Sequence, residues 1–250
     1  MVIPCFRESA RLPRFLPGLL DCLAGLRDCR AVVQIVDDGS GPGETDLLGQ
    51  LIAAENLRHP GMLRHPLAWA HNRGKGAAIR AGWDALADDC DWLMFVDADG
   101  AVPAEETCRI MADAAHTARD TAIFGERTDP LTVERNPLRK CLGHAFRALV
   151  RVVLRLPLRD TQCGIKAVPA AVFKVVRPEL RRDDFAFDIE LAIALLGHGY
   201  RIKPVAVRWK EQAGSHIKGH HLVAMALAVA GFGLRGIIRG RKRYSPSPRG

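Results

Sequence analysis

The chain has 250 residues, 48% of them hydrophobic and 26% charged, with a net charge of +8. That composition excludes a disordered or fibrous chain and suffices for one sizeable core. Seven cysteines, an odd number with no C-x-x-C pair, argue against a disulfide framework or a zinc knuckle and for a reducing setting.

In chain order, Met1–Pro4 reads as a truncated strand with no signal peptide before it. Leu12–Leu26 follows as an amphipathic helix carrying Pro13 and Pro17 near its start, and Ala31–Val36 is a buried strand ending in the turn Asp37-Asp38-Gly39-Ser40. Residues 45–56 read as a helix, Gly61–His65 as a short strand, Lys75–Asp89 as a helix introduced by Gly74 and Gly76, and Trp92–Val96 as a buried strand ending in Asp97-Ala98-Asp99. This alternation predicts right-handed βαβ units in a mostly parallel sheet, an α/β fold covered on both faces. Such sheets bind ligands beyond the carboxyl ends of their strands. Phe6–Glu8, Asp37–Ser40 and Asp97–Gly100 all sit at such ends, and clustered carboxylates there repel one another unless a cation or a sugar nucleotide lies between them. A single Asp after a strand is equally explained as a helix cap.

Charge is unevenly placed. Residues 1–134 are net −8, 135–182 net +10, 183–200 net −4 and 201–250 net +10. The two basic blocks suit an anionic partner, either phosphate groups, an anionic membrane or nucleic acid, or are plain solvated surface charge. Nucleic acid ranks last, because no aromatic interleaving and no nucleic-acid motif accompanies the blocks. Within the first block, residues 135–182 interrupt the α/β pattern. Leu138–Leu156 predicts an amphipathic helix with Lys140, His144, Arg147, Arg151 and Arg155 on one face, suited to a membrane surface or a partner, or to plain packing on the core. Leu222–Leu234 is uncharged, and the apolar stretch to Ile238 is short for a membrane span, which needs about 20 residues. With Arg239, Arg241, Lys242 and Arg243 behind it, it reads as an interfacial or re-entrant helix, a buried core helix being the alternative. Ser245–Gly250 reads as disordered.

Four stretches carry chemistry. Asp97-Ala98-Asp99 offers two carboxylates to one hard cation, Mg²⁺ or Mn²⁺, that would offset charge on a leaving diphosphate. Asn72-Arg73-Gly74-Lys75-Gly76 lets backbone approach a phosphate at a helix N-terminus, or is an ordinary glycine turn; it lacks the P-loop spacing. Asp160-Thr161-Gln162-Cys163-Gly164-Ile165-Lys166 is a compact polar element. Asp188, in Phe187-Asp188-Ile189-Glu190, is either a helix-end cap or a general base.

In their order along residues 1–217, these blocks resemble family 2 glycosyltransferases, most closely the dolichyl-phosphate β-glucosyltransferase and polyprenyl-phosphate glycosyltransferase branch. Val2–Glu8 is similar to that family's V-I-P-A-Y-N-E turn, Ile35–Ser40 to I-V-D-D-G-S, Asn72–Gly82 to N-x-G-K-G-x-A, and Phe95–Gly100 to its metal loop. Asp160–Lys166 is similar to D-x-Q-C-G-F-K, and Phe187–Leu191, Gly199–Ile202, Pro204-Val205, Trp209 and Gly214-Ser215 to later blocks.

The resemblance implies a GT-A fold, with residues 1–134 as the nucleotide-sugar and metal half, 135–217 as the acceptor half and 218–250 as a membrane-associating tail. It implies an inverting, metal-dependent transfer of glucose from UDP-glucose to a polyprenyl phosphate at the cytoplasmic face of a membrane. Pro4, Phe6, Glu8, Asp37, Asp38, Lys75, Asp97 and Ala98 would bind the nucleotide sugar, Asp38 taking the base. Asp97 and Asp99 would hold Mg²⁺ or Mn²⁺, Asp188 and Asp160 would serve catalysis, and Arg147, Arg151, Gln162 and Lys166, with Arg155 a further candidate, would meet the acceptor phosphate. GDP-mannose as donor, a non-lipid acceptor, a non-catalytic sugar-nucleotide binder and a homo-oligomer remain open. Arg7 and Cys5 depart from the Asn and Ala of the family pattern, and Ala101 stands where mannosyl-transferring relatives often carry Gln, favouring the glucosyl branch.

Overall fold

Alternation of apolar residues decides which face of the sheet each side chain covers. The computed structural model describes residues 1–127, 158–210, 212, 227–229 and 231–232. In it the strands β1 (Val2–Cys5), β2 (Gln34–Asp37), β3 (Leu67–Ala68), β4 (Trp92–Val96), β5 (Thr121–Arg127), β6 (Ile165–Pro169) and β7 (Arg201–Val207) form one sheet in the order β3-β2-β1-β4-β6-β5-β7. β1, β2, β3 and β4 run parallel, as do β5 and β7; β6 is antiparallel to both its neighbours. The helices are α1 (Leu12–Ala24), α2 (Pro42–Arg58), α3 (Lys75–Leu86), α4 (Ala104–Ala115), α5 (Ala170–Val176) and α6 (Phe187–Gly197).

Successive strand residues point to opposite faces. Val2, Val36, Phe95, Phe124 and Val168 pack with Trp83 of α3, Phe173 of α5 and Phe187 of α6. Ile3, Ile35, Met94, Ile123 and Ala167 pack instead with Leu16 and Leu19 of α1, Leu48 and Ile52 of α2 and Ile110 of α4. Trp83 is the centre of the first layer, its ring 5.3 Å from Phe173 and 6.0 Å from both Phe95 and Phe187. β7 lies at an edge, the position in a sheet where a proline such as Pro204 is tolerated.

The expected doubly covered, mostly parallel sheet is present. Two expectations shift. The strand placed at 61–65 pairs as Leu67–Ala68, with only an isolated Val33–Leu63 bridge before it. Residues 160–166 are not one polar loop: Ile165 and Lys166 begin β6, a central strand, so residues 165–169 rejoin the sheet of the first half. α4 and β5 lay in a stretch of sequence that carried no reading. The basic helix at 138–156, including Arg147, Arg151 and Arg155, lies outside the described residues, as do Gly214-Ser215, residues 218–226 and the tail beyond 232. Of the apolar segment at 222–238, Val229 is fully buried and Phe232 packs on the Trp83 layer while Leu227 is 69% exposed, so this part rests on the core. Among the described residues no helix is long and apolar enough to cross a membrane.

Candidate active site

Beyond the carboxyl end of β1 the chain turns sharply. Arg7 takes a left-handed backbone (φ 56°), the conformation in which the Asn of the family pattern is tolerated and a long side chain is not favoured. The turn is tied to the loop after β2: Arg7 N donates to Ser40 Oγ at 2.8 Å and Ser9 N to Glu44 Oε2 at 3.1 Å. Cys5, Glu8, Ser9, Ser40, Glu44 and Leu48 line a small recess there. Glu8 pairs with Arg11, whose Nε donates at 2.7 Å. Burial pushes the Glu8 carboxyl up to about 7; Arg11 opposes this, and Asp99 and Asp97 add to it. Pro4 is half-buried in β1, and Phe6 lies half-buried beneath the Arg7 guanidinium.

The two aspartates at the end of β2 have different work. Asp37 is fully buried and accepts from Ser40 N, Ser40 Oγ and Thr45 Oγ1, so both its oxygens hold the turn. Asp38 accepts from Arg73 N at 2.6 Å, Gly74 N at 2.9 Å and Asn72 Nδ2 at 3.0 Å. Burial raises its carboxyl and those backbone N–H groups pull it back. The preference for Asp38 as the base contact therefore needs revision: its carboxylate clamps the loop that carries Lys75.

The start of α3 also differs from the expected phosphate cradle. Two of its first N–H groups are taken by the chain itself: Gly76 N donates to Asp183 O at 2.7 Å and Ala77 N at 3.3 Å, and Arg80 reaches the Arg182 carbonyl and the Asp183 carboxylate. The glycines make that approach possible. A Cβ on Gly74 would lie 2.2 Å from Asp183 O, and one on Gly76 2.5 Å from Arg182 O. Residues 182–184 close the helix end that a phosphate would otherwise use.

Lys75, the first residue of α3, projects to the face of the sheet where Phe95 lies. Its Nζ is 2.5 Å from Asp97 Oδ1 and 5.2 Å from the Phe95 ring centroid. Lys166, opposite Phe95 in the β4–β6 ladder, is fully buried over the same ring at 5.2 Å and over Phe124 at 5.1 Å. Its Nζ donates to Cys163 O at 2.8 Å and lies 2.9 Å from Asp188 Oδ1. Lys166 is thus no acceptor-phosphate contact; it is the buried counter-charge of Asp188. Asp188 is itself 2% exposed in the first turn of α6. Burial lowers the Lys75 ammonium, but Asp97, then Asp188, then Asp99 outweigh it, and the net shift is upward. So Lys75, Lys166, Asp97 and Asp188 form one electrostatic group around Phe95.

Asp99 is held by its own loop, accepting from Ala101 N at 2.9 Å, and its carboxyl is raised by burial and then by Asp97. Two crowded carboxylates of this kind suit a divalent cation. Among the described residues no group of three or more His, Cys, Asp or Glu is arranged to enclose a metal ion. A Mg²⁺ or Mn²⁺ here would take few protein ligands and complete its shell with diphosphate and water, its usual habit. Ala98 between them is buried. Gly164 packs against Asp97: its carbonyl accepts from Asp97 N at 2.9 Å, and a Cβ there would lie 2.2 Å from Asp97 Oδ2.

Asp160 is buried and bidentate to Arg127, with Nε to Oδ2 at 2.5 Å and Nη2 to Oδ1 at 2.9 Å. Burial alone would raise its carboxyl, but Arg127 outweighs it and holds the carboxyl below the usual aspartate range. The pair makes Asp160 the anchor of the 158–164 loop. In that loop the buried Gln162 Nε2 has no hydrogen-bond partner among the described residues, a donor left for a ligand. Sequence reasoning missed Arg127, Arg11 and the 182–184 closure. Arg127 sits at the charged end of the apolar strand TAIFGER, and Arg11 is one helical turn from Glu8, signals that were present; nothing in the sequence joins residue 76 to residue 183.

Comparison with known proteins agrees with this architecture. The model of Glycosyl transferase family 2 matches residues 1–174. The dolichyl-phosphate beta-glucosyltransferase of Drosophila melanogaster is 30% identical over 228 residues, 87% of this chain and 68% of that protein. The Saccharomyces cerevisiae enzyme of the same name is 26% identical over 86% of this chain and 67% of that protein. Among solved structures, M. tuberculosis glucosyl-3-phosphoglycerate synthase superposes with a TM-score of 0.61 at 17% identity, covering 94% of this chain and 78% of that one. A Pyrobaculum calidifontis mannosyltransferase in complex with GDP-Man and Mn²⁺ gives 0.59 at 18%, covering 96% and 64%. The fold is GT-A, as the resemblance implied.

Proposed function

The chain belongs to glycosyl transferase family 2 and is a glycosyltransferase, and we propose that it transfers glucose from UDP-glucose to a polyprenyl phosphate at a membrane surface, with inversion. The observation that carries this reading is the meeting of Asp97, Asp99, Lys75 and Asp188 at the end of β4, in a chain whose curated relatives are dolichyl-phosphate beta-glucosyltransferases. Solved neighbours bound to Mg²⁺ or Mn²⁺ with UDP or UDP-glucose support a metal and a uridine donor.

In this reading Asp97 and Asp99 hold Mg²⁺ or Mn²⁺, which when bound neutralises charge growing on the departing diphosphate. Lys75 adds a second positive charge to the same side of the donor. The 5–9 and 37–40 turns line the nucleotide, Phe6 and Glu8 flanking it, while Asp38 holds the Asn72–Gly74 loop in place. Gln162 offers its unpartnered amide to the acceptor. A lipid phosphate oxygen is already anionic near neutral pH, so Asp188 orients the reacting groups rather than removing a proton. The basic segments, with Arg147 and Arg151, attract the lipid phosphate and the anionic surface that bears it.

The test is a donor screen with purified protein, Mn²⁺, a polyprenyl phosphate and UDP-glucose, GDP-mannose or UDP-N-acetylglucosamine, scored by sugar label extracted into organic solvent. Label from UDP-glucose alone is the expected result. Label from GDP-mannose instead would reassign the donor, and label confined to the aqueous phase would remove the lipid acceptor.

A further inference from the structure

Two ammonium groups share one phenyl ring in this site, and only one of them is fixed. Lys166 is locked: fully buried, it donates to Cys163 O. Lys75 is partly exposed, its side chain 16% accessible, and it contacts Oδ1 of Asp97, one of the two carboxylates read above as metal ligands. Meanwhile Asp188 Oδ1 is buried without a hydrogen bond among the described residues. Lys166 Nζ stands 2.9 Å from it but out of line, so the contact is one of charge and leaves an acceptor direction unfilled. A buried carboxylate oxygen without a donor is costly and calls for an explanation. Asp188 and Lys75 already feel each other electrostatically.

We propose that Lys75 is a placeholder cation, which holds Asp97 while the divalent ion is absent and moves to the unfilled oxygen of Asp188 when the ion takes Asp97. The proposal rests on the reading of Asp97 and Asp99 as metal carboxylates. An ammonium and a divalent cation repel each other and cannot share Asp97 Oδ1, so one must leave. The Phe95 face eases the move: Lys75 and Lys166 both lie 5.2 Å from its centroid, so the ring attracts the travelling charge at the start of the path and at its end beside Lys166 and Asp188. Negative charge on Asp97 is thereby covered in both states, and Asp188 gains its missing donor only in the loaded one. The exchange makes metal entry and Lys75 departure two sides of one coupling.

Mn²⁺ binding to the full chain without nucleotide, read from the electron paramagnetic resonance signal of free Mn²⁺, tests this. Lys75→Met should tighten Mn²⁺ binding by between about fivefold and 150-fold, the usual range of such coupling. Asp188→Asn should weaken it several-fold in the wild-type background and have little further effect in the Lys75→Met background. Unchanged or weaker Mn²⁺ binding in Lys75→Met would overturn the proposal. So would equal losses from Asp188→Asn in both backgrounds, which is what a plain field effect predicts. Asp97→Asn separates the two levels of argument: if it leaves Mn²⁺ affinity unchanged, the metal assignment fails first. In the wild-type chain, diamagnetic Mg²⁺ should shift the ¹⁵Nζ resonance of Lys75 and leave that of Lys166 near its starting position; an unmoved Lys75 signal at saturating Mg²⁺ also overturns the exchange.

Discussion

Adding one methyl group at Gly76 sets two physical effects against each other. On helix propensity alone, Gly76→Ala should stabilise α3 by about 1 kcal/mol. The surroundings oppose it. The new Cβ would sit 2.5 Å from Arg182 O, 2.7 Å from Phe187 Cβ and 3.0 Å from Asp184 O, two of the three being backbone atoms that cannot swing aside. Relief requires residues 182–184 to retreat, which breaks the Gly76 N–Asp183 O bond of 2.7 Å and the weaker one from Ala77. Overpacking costs about 1–3 kcal/mol and each lost hydrogen bond about 1 kcal/mol. The net expectation is a loss of about 3 kcal/mol, or a melting temperature lower by about 6–12 °C for a chain of this size. Thermal denaturation by circular dichroism measures it. Gly49→Ala is the control: Gly49 is exposed inside α2 with no atom within 4 Å of an added Cβ, and the same substitution there should raise stability by up to about 1 kcal/mol. If Gly76→Ala melts at or above the wild type, the closure of α3 by the 182–184 carbonyls is not the tight contact described above. Turnover should fall in the same variant, since the displaced loop leads into the first turn of α6 and Asp188.

Asp38→Ala strands two backbone N–H groups and the Asn72 amide, and should cost about 2–4 kcal/mol in urea unfolding; a loss of UDP affinity with full stability would restore Asp38 as a base contact. Arg7→Asn should raise stability by about 0.5–1 kcal/mol, measured the same way, because Asn tolerates the left-handed backbone that arginine is forced into. The Arg127–Asp160 pair carries an acid-side pH dependence: with the Asp160 carboxyl held below its usual range, its stabilisation is complete above the ordinary aspartate range and disappears as pH falls through the lowered value. Asp160→Asn should flatten that limb in a series of acid melts and, by breaking a buried pair, cost about 3–5 kcal/mol at neutral pH. Asp99→Ala should abolish sugar transfer and Mn²⁺-dependent UDP binding by calorimetry; near-normal values for either would remove Asp99 from the metal site.

How far the site was legible depended on whether a residue's neighbours lie close along the chain. Trp92–Val96 followed by Asp97-Ala98-Asp99 is local information, an apolar run broken by carboxylates, and β4 and its loop stand where that pattern put them. Lys75 at the head of a helix was likewise visible. β6 was not: five residues, IKAVP, carry a lysine where the core requires an apolar side chain, and only Asp188, 22 positions on, makes that burial tolerable. Arg127 and Asp160 are 33 positions apart and meet only because β6 turns antiparallel between β4 and β5.

Periodicity and turn residues in this chain determine by themselves an α/β sheet with carboxylates at its strand tips, because those signals are local along the chain and set by backbone geometry and side-chain alternation. Which charge faces which was decided only in three dimensions. The pairing of Lys75 with Asp97, of Lys166 with Asp188 and of the α3 N-terminus with Asp183 depends on strand order and helix docking. Coulombic and hydrogen-bond energies depend on distance in space, and distance along the chain says little about it.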